Sequence, residues 1–450
     1  MISDPTQATP MPQTQVLDKG PAISPVVAWV TVATLFVAQI ASTIDRGMLA
    51  LVIDPVRQDL TISEMQIALL QGFAFSIFYV TVGLPLGAVA DVVNRRRLLI
   101  AGILVWSAAT IGGGFAEGFG SMFVSRLFIG VGEAVLGPCA VTMISDLFPP
   151  HRRGRPMALY VFGSMIAYGL GSLVSGVILD LAPKGAFVGI PVIGGMAPWR
   201  IAFALVGSSG LLIVGLLVLL REPARRVDPG VADKPKVTFG EGLGMLAARR
   251  AVFLPLYGSL ALFAMGGSVA TGWGAVFLTR AFGYQVGTAG QGLGTSQIAW
   301  SVLGALIAGV AVDRVGARSG AAGRAHLAGL LSLIGIPCAL PVLASSGTVA
   351  TVMLGEVMLV SAIYGTTMLS IISEIAPTKV RGFAVALYAF VMTIIGGSLG
   401  PVAVAWLTET VFASPVAVGS SMAVVGLCAF TMSALLAFRA ASAIALEERI

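Results

Sequence analysis

The sequence predicts an all-α integral membrane protein, with twelve transmembrane helices in two pseudo-symmetric bundles of six. Three observations carry that. Hydrophobic residues make up 57% of the 450 and charged ones 11%, with a mean hydropathy of +0.94, whereas a soluble chain carries roughly a quarter charged residues. Apolar runs of about 20 residues, enough to cross a bilayer as a helix, recur twelve times. Two loop motifs from the first half return in the second half. The apolar runs are too long and too uniform for transmembrane strands, which alternate.

Residues 1–25 are polar, contain Pro and Gln, and read as a disordered tail. They lack a basic n-region, and the following apolar run is too long for a cleaved signal, so the first span is expected to stay as an anchor. Spans are expected at 27–53, 65–90, 97–116, 119–146, 156–180 and 199–220, filling a first bundle over 26–220. A basic linker rich in Pro and Gly covers 221–250. Its stretch VTFGEGLGMLAARR (Val237–Arg250) would lie flat on the membrane surface with Phe239, Leu243 and Leu246 inward. Spans at 251–279, 289–312, 325–345, 350–375, 382–408 and 416–439 fill a second bundle over 251–440, and 441–450 is a short tail.

Orientation follows from Lys and Arg. Alternating the loops puts 18 of them on one side and four, Arg57, Lys184, Arg200 and Arg280, on the other. The positive-inside rule makes the basic side cytoplasmic, with both termini there. The net charge of +6 is then a topology signal and not a nucleic-acid footprint. Cys139, Cys338 and Cys428 fall inside spans and read as small buried hydrophobes without disulfides. His151 and His326 sit at cytoplasmic span ends, and no residue cluster has metal-ligand spacing, so neither metal nor cofactor is expected. No nucleophile–histidine constellation occurs within the spans, which argues against an enzyme.

The repeats are specific. GAVADVVNRRR (Gly87–Arg97) returns as GVAVDRVGARS (Gly309–Ser319), with Gly87 and Asp91 displaced by 222 residues onto Gly309 and Asp313. DLFPPHRRG (Asp146–Gly154) returns as EIAPTKVRG (Glu374–Gly382), displaced by 228. A Gly four residues before an Asp lets helix ends approach, and the Asp then accepts from a helix N-terminus or a loop Arg. Gly87, Asp91, Arg95, Asp146, Arg153, Gly309, Asp313, Glu374 and Arg381 are therefore candidates for a cytoplasmic gate that holds one side closed. The plainer alternative is that these loop charges only set topology.

GAVADVVNRRR resembles the loop 2–3 signature of the major facilitator superfamily, and Arg126-x-x-x-Gly130-x-Gly132 resembles its span 4 signature. Span 5 (GSMIAYGLGSLVSG, Gly163–Gly176) departs from the drug-antiporter signature by lacking its Gly-Pro. The order Arg, GVGEA, mid-span Pro, D-L-F-P and R-G within Arg126–Tyr160, with Asp45-Arg46 late in span 1, is similar to the spinster branch. That resemblance implies a two-bundle secondary transporter whose spans 1 and 4 line a central cavity. It also implies an amphiphilic substrate of lysolipid or sphingolipid type, with membrane lipid and protons as partners. A monomer in the plasma (bacterial inner) membrane is expected to suffice.

Charges inside the spans mark the candidate site, because a central charge costs at least ~2.5 kcal/mol on insertion scales. At about 1.5 Å per residue, Asp45 lies about 13 Å, Arg126 about 11 Å and Glu133 about 20 Å from the outer edges of their spans. Arg126 and Glu133 are two turns apart on one face. Asp45, Glu133 and Arg126 are the candidate proton-coupling residues, with Asp45–Arg126 as the expected pair and Arg46 turned to the domain interface or outer mouth. Arg126 would stabilise the ionised carboxylates or hold an anionic headgroup. A static ion pair locking spans 1 and 4 is the structural alternative.

The second half is poorer in such groups, with only Glu356 clearly intramembrane, facing either substrate or another helix. Candidate substrate-binding residues are Arg46, Arg126, Glu133, Tyr79, Tyr168, Gln297, Trp300, Tyr364, Thr367, Ser370 and Tyr388, each aromatic doubling as an ordinary packing residue. GGSLGP (Gly396–Pro401) reads as close helix packing or as a hinge in span 11. The expected activity is proton-coupled transport of an amphiphile. The rival is transport of small organic anions or drug-like amphiphiles, with Arg46 and Arg126 as anion ligands.

Overall fold

A computed structural model describes residues 24–90, 92–149, 152–225 and 238–448. Among these, eleven helices are long and apolar enough to cross a membrane. Twelve passes were expected, and the difference lies in one helix. Val286–Ala339 runs for 54 residues, about 80 Å at 1.5 Å per residue, more than twice a bilayer core. Its helix is interrupted at Ser319 and Gly320, where Gly320 takes φ +56. Spans 8 and 9 are the two arms on either side of that turn.

The first half runs as span 1 (Pro25–Leu51), span 2 (Glu64–Gln71 and Phe73–Ala90), span 3 (Arg95–Gly114), span 4 (Phe119–Glu133 and Leu136–Leu147), span 5 (Gly154–Leu181) and span 6 (Pro198–Leu219). The second half has span 7 (Arg250–Phe282), then spans 8 and 9, span 10 (Gly347–Gly355 and Val357–Ile375), span 11 (from Arg381 to Val411) and span 12 (Val418–Glu447). Starts are capped as the sequence allows: Ser24 before Pro25, Ser63 with Gln66 in a capping box, and Asn94 accepting from the Arg97 N–H. Span 11 carries π-helical turns at Val391–Gly396 and Leu407–Val411 and holds Pro401. Its glycines pack hard on span 7, since a Cβ on Gly396 would lie 2.1 Å from Ala264 Cβ.

Several expectations are corrected. Span 12 continues as helix to Glu447, through most of the stretch read as a tail. Cys428 is exposed, unlike Cys139 and Cys338. The linker holds a helix, Phe239–Ala248, whose Thr238–Glu241 capping box keeps the Glu241 carboxyl below its usual range through the bond from the Thr238 backbone N–H. Only Leu246 of the three apolar residues faces inward; Phe239 is 68% and Leu243 47% exposed. The reason is Gly242, which seats on the Phe383 ring, where a Cβ would come within 2.7 Å. Positions 242 and 246 thereby define the buried face. Residues 1–23, Asp91, His151 and the linker over 226–237 lie outside the described residues.

The two halves meet unevenly along the membrane normal. Toward the face opposite the basic loops, spans 5 and 8 press backbone to backbone: a Cβ on Gly294 would lie 2.4 Å from Leu173 N, and one on Gly176 2.6 Å from Gln291 N. Arg280 at the end of span 7 pairs with Asp54 at 2.6 Å and Glu64 at 2.8 Å. Glu409 accepts the N–H groups of Glu64 and Met65 at 3.0 and 3.1 Å, a carboxylate on the N-terminus of span 2. At the basic face, among the described residues, every ion pair stays within one half. The molecule is sealed at the opposite face and parted at the basic one.

Candidate functional site

Span 4 breaks where its sequence requires. Pro138 has no N–H to give and its ring excludes the carbonyl four residues back, so the helix ends at Glu133 and resumes at Leu136. Gly130 and Gly132 let this stretch close on its neighbours, with a Cβ at either position only 2.5 Å from Phe75 O or Gly102 O. Glu133 is thus pinned at a helix break, 2% exposed. Its Oε2 accepts from Ser42 Oγ at 2.7 Å and lies 3.1 Å from Arg46 Nε, while Oε1 has no partner.

Neighbours on span 1 diverge, as their 100° separation on the helix dictates. Asp45, also 2% exposed, accepts from the Thr110 hydroxyl of span 3 through Oδ2 and leaves Oδ1 unpartnered. Arg46 reaches span 4. The expected Asp45–Arg126 pair is therefore corrected: no contact within 4.0 Å joins Arg126 to either carboxylate, although both are its charged neighbours. Two helical turns, about 11 Å, separate Arg126 from Glu133 along span 4, whereas Arg46 arrives at the level of Glu133 itself. Arg126 lies over the Phe203 ring at 5.4 Å, 2% exposed, with Nε and Nη2 unbonded.

Beside this cluster lies a cavity of about 310 Å³ between the halves, lined by Arg46, Arg126, Gln71, Tyr168 and Ser172 from the first half and by Ser268, Thr271, Gln297 and Thr393 from the second. Gln297 is held by Ser172 at 3.0 Å, and Gln71 Nε2 is buried without a partner. Four of the candidate substrate residues line this space: Arg46, Arg126, Tyr168 and Gln297. Tyr79 stands behind Phe75, within 5.9 Å of the Arg46 guanidinium. The others point elsewhere. Tyr364 and Thr367 are fully buried in the second bundle, Tyr364 bonded to Ser259 at 2.8 Å and stacked on Phe263 at 3.6 Å, Thr367 donating to Ile363 O. Trp300 donates to Val352 O at the contact of spans 8 and 10. Ser370 and Tyr388 are half-buried outside the cavity wall. Residue type alone did not reveal which face of the helix each occupies. Glu356 sits half-buried at the break of span 10.

The gate residues are brought together in an unexpected way. Arg95 pairs with Asp146 and, at 2.9 Å, with Glu222, while Arg324 pairs with Glu374. In the first half the two repeated motifs are thus partners of each other; in the second, Glu374 pairs with Arg324, five residues beyond the repeated motif, and neither pair bridges the halves. Arg153 donates to Phe148 O, and Asp313 and Arg381 are exposed. Gly87 and Gly309 face open space, with nothing within 4 Å of an added Cβ. Sequence reasoning also missed Ser42, Thr110 and the Arg280 and Glu409 contacts. A polar stripe at three- and four-residue spacing on span 1, Gln39–Ser42–Thr43–Arg46, was the available signal for the first. Arg280 was visible only as one of four basic residues on its side.

Comparisons with known proteins bear on the fold and the family. An "MFS-type efflux pump" of Mycolicibacterium smegmatis is 26% identical over 293 residues, 65% of this chain and 64% of that protein. "Protein spinster" of Drosophila melanogaster is 28% identical over 250 residues, 56% of this chain and 39% of that one. The chain therefore spans less than two thirds of the curated relatives it matches. Among solved structures, a bacterial homologue of the human lysosomal transporter Spinster, inward-facing and unoccupied, superposes with a TM-score of 0.77 at 23% identity, covering 95% of this chain and 98% of the other. The family model of the Major Facilitator Superfamily matches residues 35–401, and with the twelve passes, the two halves and the cavity between them, the chain belongs to that superfamily of membrane transporters.

Proposed function

We propose that the protein is a proton-coupled secondary transporter that moves an amphiphilic, lipid-like substrate by alternating access of its two bundles. One observation carries this: Asp45 and Glu133, buried in mid-span with one unpartnered oxygen each, stand beside a cavity whose wall is formed by Arg46 and Arg126. The basic face is the cytoplasm by the positive-inside rule, which makes this state open inward, with both termini on the cytoplasmic side of a bacterial inner membrane. Similarity to spinster proteins supports the lysolipid or sphingolipid class of substrate, and one chain encloses the cavity, so a monomer suffices.

Arg46 is shared. Ionised Glu133 holds it; protonated Glu133 releases it to an anionic headgroup in the cavity. Proton and anion binding therefore favour each other through a single side chain, and the coupling is reciprocal. Asp45 and Arg126 form the neighbouring second site. A rival reading, small organic anions, is favoured by the polar wall and the modest volume of about 310 Å³, which holds a headgroup and leaves an acyl chain to lie between the bundles.

The test is uptake of a fluorescent lysophospholipid into proteoliposomes under an imposed pH gradient. Gradient-driven accumulation that disappears in Asp45→Asn and Glu133→Gln supports the proposal. Uptake indifferent to both the gradient and the substitutions overturns it. Competition by chainless organic anions with no lysophospholipid uptake transfers the conclusion to the rival.

A further inference from the structure

Span 1 carries a polar stripe that extends from Glu133 toward the basic face. Its hydrogen bonds have a fixed direction. Tyr160 of span 5, 6% exposed, donates to Gln39 Oε1 at 2.8 Å. That orients the amide so that Gln39 Nε2 faces Thr43 Oγ1 at 3.5 Å. Thr43 gives its own proton to the Gln39 carbonyl at 3.0 Å, so its oxygen is an acceptor, and Arg46 Nη2 approaches it at 3.3 Å. Ser42 gives its proton to Glu133 and likewise faces Arg46 Nη2, at 3.5 Å.

The Arg46–Glu133 contact does not fix itself. Arg46 Nε is 3.1 Å from Glu133 Oε2, yet its N–H is not aimed along that line. A quarter of the Arg46 side chain is exposed, so it has somewhere else to go. What holds its other nitrogen decides how close the charge stays. The charges around Glu133 are Arg46 and Asp45 from span 1 and Arg126 from its own span. Around Arg46 stand Tyr79 from span 2 and Tyr160 and Tyr168 from span 5.

We propose that Tyr160 and Gln39 are positioning residues that hold the Arg46 guanidinium against Glu133 and so set the pH at which that carboxylate releases its proton. The inference rests on the reading of Glu133 as a proton site. Without the Tyr160 hydroxyl the Gln39 amide is free to turn, the polar stripe behind Thr43 loosens, and Arg46, a quarter exposed, is held less firmly against Glu133. A more distant cation stabilises the ionised carboxylate less, so Glu133 keeps its proton to higher pH.

The experiment is an infrared titration of the full chain in lipid nanodiscs, following the protonated-carboxyl band that Glu133→Gln removes. Tyr160→Phe and Gln39→Leu are each expected to move its midpoint upward by roughly 0.5–1 pH unit, the size of change a weakened charge neighbour produces. The double variant should move it no further than the larger single one, because the two act as one chain. Midpoints that stay put in both variants, with the band still belonging to Glu133, overturn the positioning role alone, even if thermal stability falls. A protonated-carboxyl signal that Glu133→Gln leaves wholly unchanged overturns the proton-site reading of Glu133 and this inference with it.

Discussion

The two halves handle polar groups inside the membrane in opposite ways. The first half buries charges and leaves them under-bonded: Asp45 and Glu133 each keep one free oxygen and Arg126 two free nitrogens. Among the described residues, the second half buries neutral hydroxyls and bonds nearly all of them, Ser296 Oγ being the exception. Ser259 meets Tyr364 at 2.8 Å and Ser433 at 3.0 Å, and Ser433 meets Ser332 at 3.0 Å, every member fully buried. A satisfied buried network rigidifies its surroundings, while an unsatisfied one marks a place where the state is meant to change. Carrying the 228-residue shift up span 4 puts Leu354 and Ser361 where the first half has Arg126 and Glu133. The repeat survives at the helix ends, as Asp146 and Glu374, and is abandoned in the interior.

The largest expected effect breaks the comparison at the carboxylates. Glu133→Gln and Asp45→Asn should lower gradient-driven lysophospholipid uptake about 100-fold or more, the size of effect of losing a positioned proton-transfer group, while the near-isosteric amides keep the chain folded and Arg46, a quarter exposed to the cavity, is not left as a wholly buried charge. Ser433→Ala should do the reverse. Leaving partners of a buried hydroxyl unmet costs about 1–3 kcal/mol, which a thermal melt reads, while uptake and its pH profile stay as in the parent. If that substitution moved the pH profile, the division of labour would be wrong. Arg280→Ala removes a cation shared by Asp54 and Glu64 across the sealed face, and spin-label distances there should show a several-fold larger open population. The smallest effect belongs to Gly309→Ala, whose new methyl meets nothing within 4 Å; the melt should shift by less than about 0.5 kcal/mol.

The sequence reported the class, the two halves and the depth of the charges, because hydropathy and helical rise are one-dimensional quantities. It marked Glu133 for the same reason: a carboxylate in an apolar run needs no coordinates to stand out, and Pro138 five residues later announces the break beside it. The pairing was not legible. Which of Asp45 and Arg46 meets span 4 depends on rotation of span 1 about its axis, and that is set by contacts on span 1 such as Gly163 against Phe36 and Gly171 against Ile44. Tyr364 misled for a related cause. An aromatic hydroxyl reads alike whether it faces the cavity or, as here, three hydroxyls in a dry interior. The repeated loop motifs stood out in the sequence, but the pairing of Arg95 with Asp146 required knowing that the ends of spans 3 and 4 converge.

The unpaired nitrogens of Arg126 have an electrical consequence. On the proposed coupling, two guanidinium groups and two ionised carboxylates sum to zero, so the empty, deprotonated site gives the membrane voltage no net charge to act on. Each proton bound adds one positive charge, on which 100 mV acts with about 2.3 kcal/mol per full crossing. A singly anionic headgroup on Arg46 or Arg126 cancels it. The voltage then acts on the carrier that holds a proton without an anion, and leaves both the empty and the fully occupied forms alone.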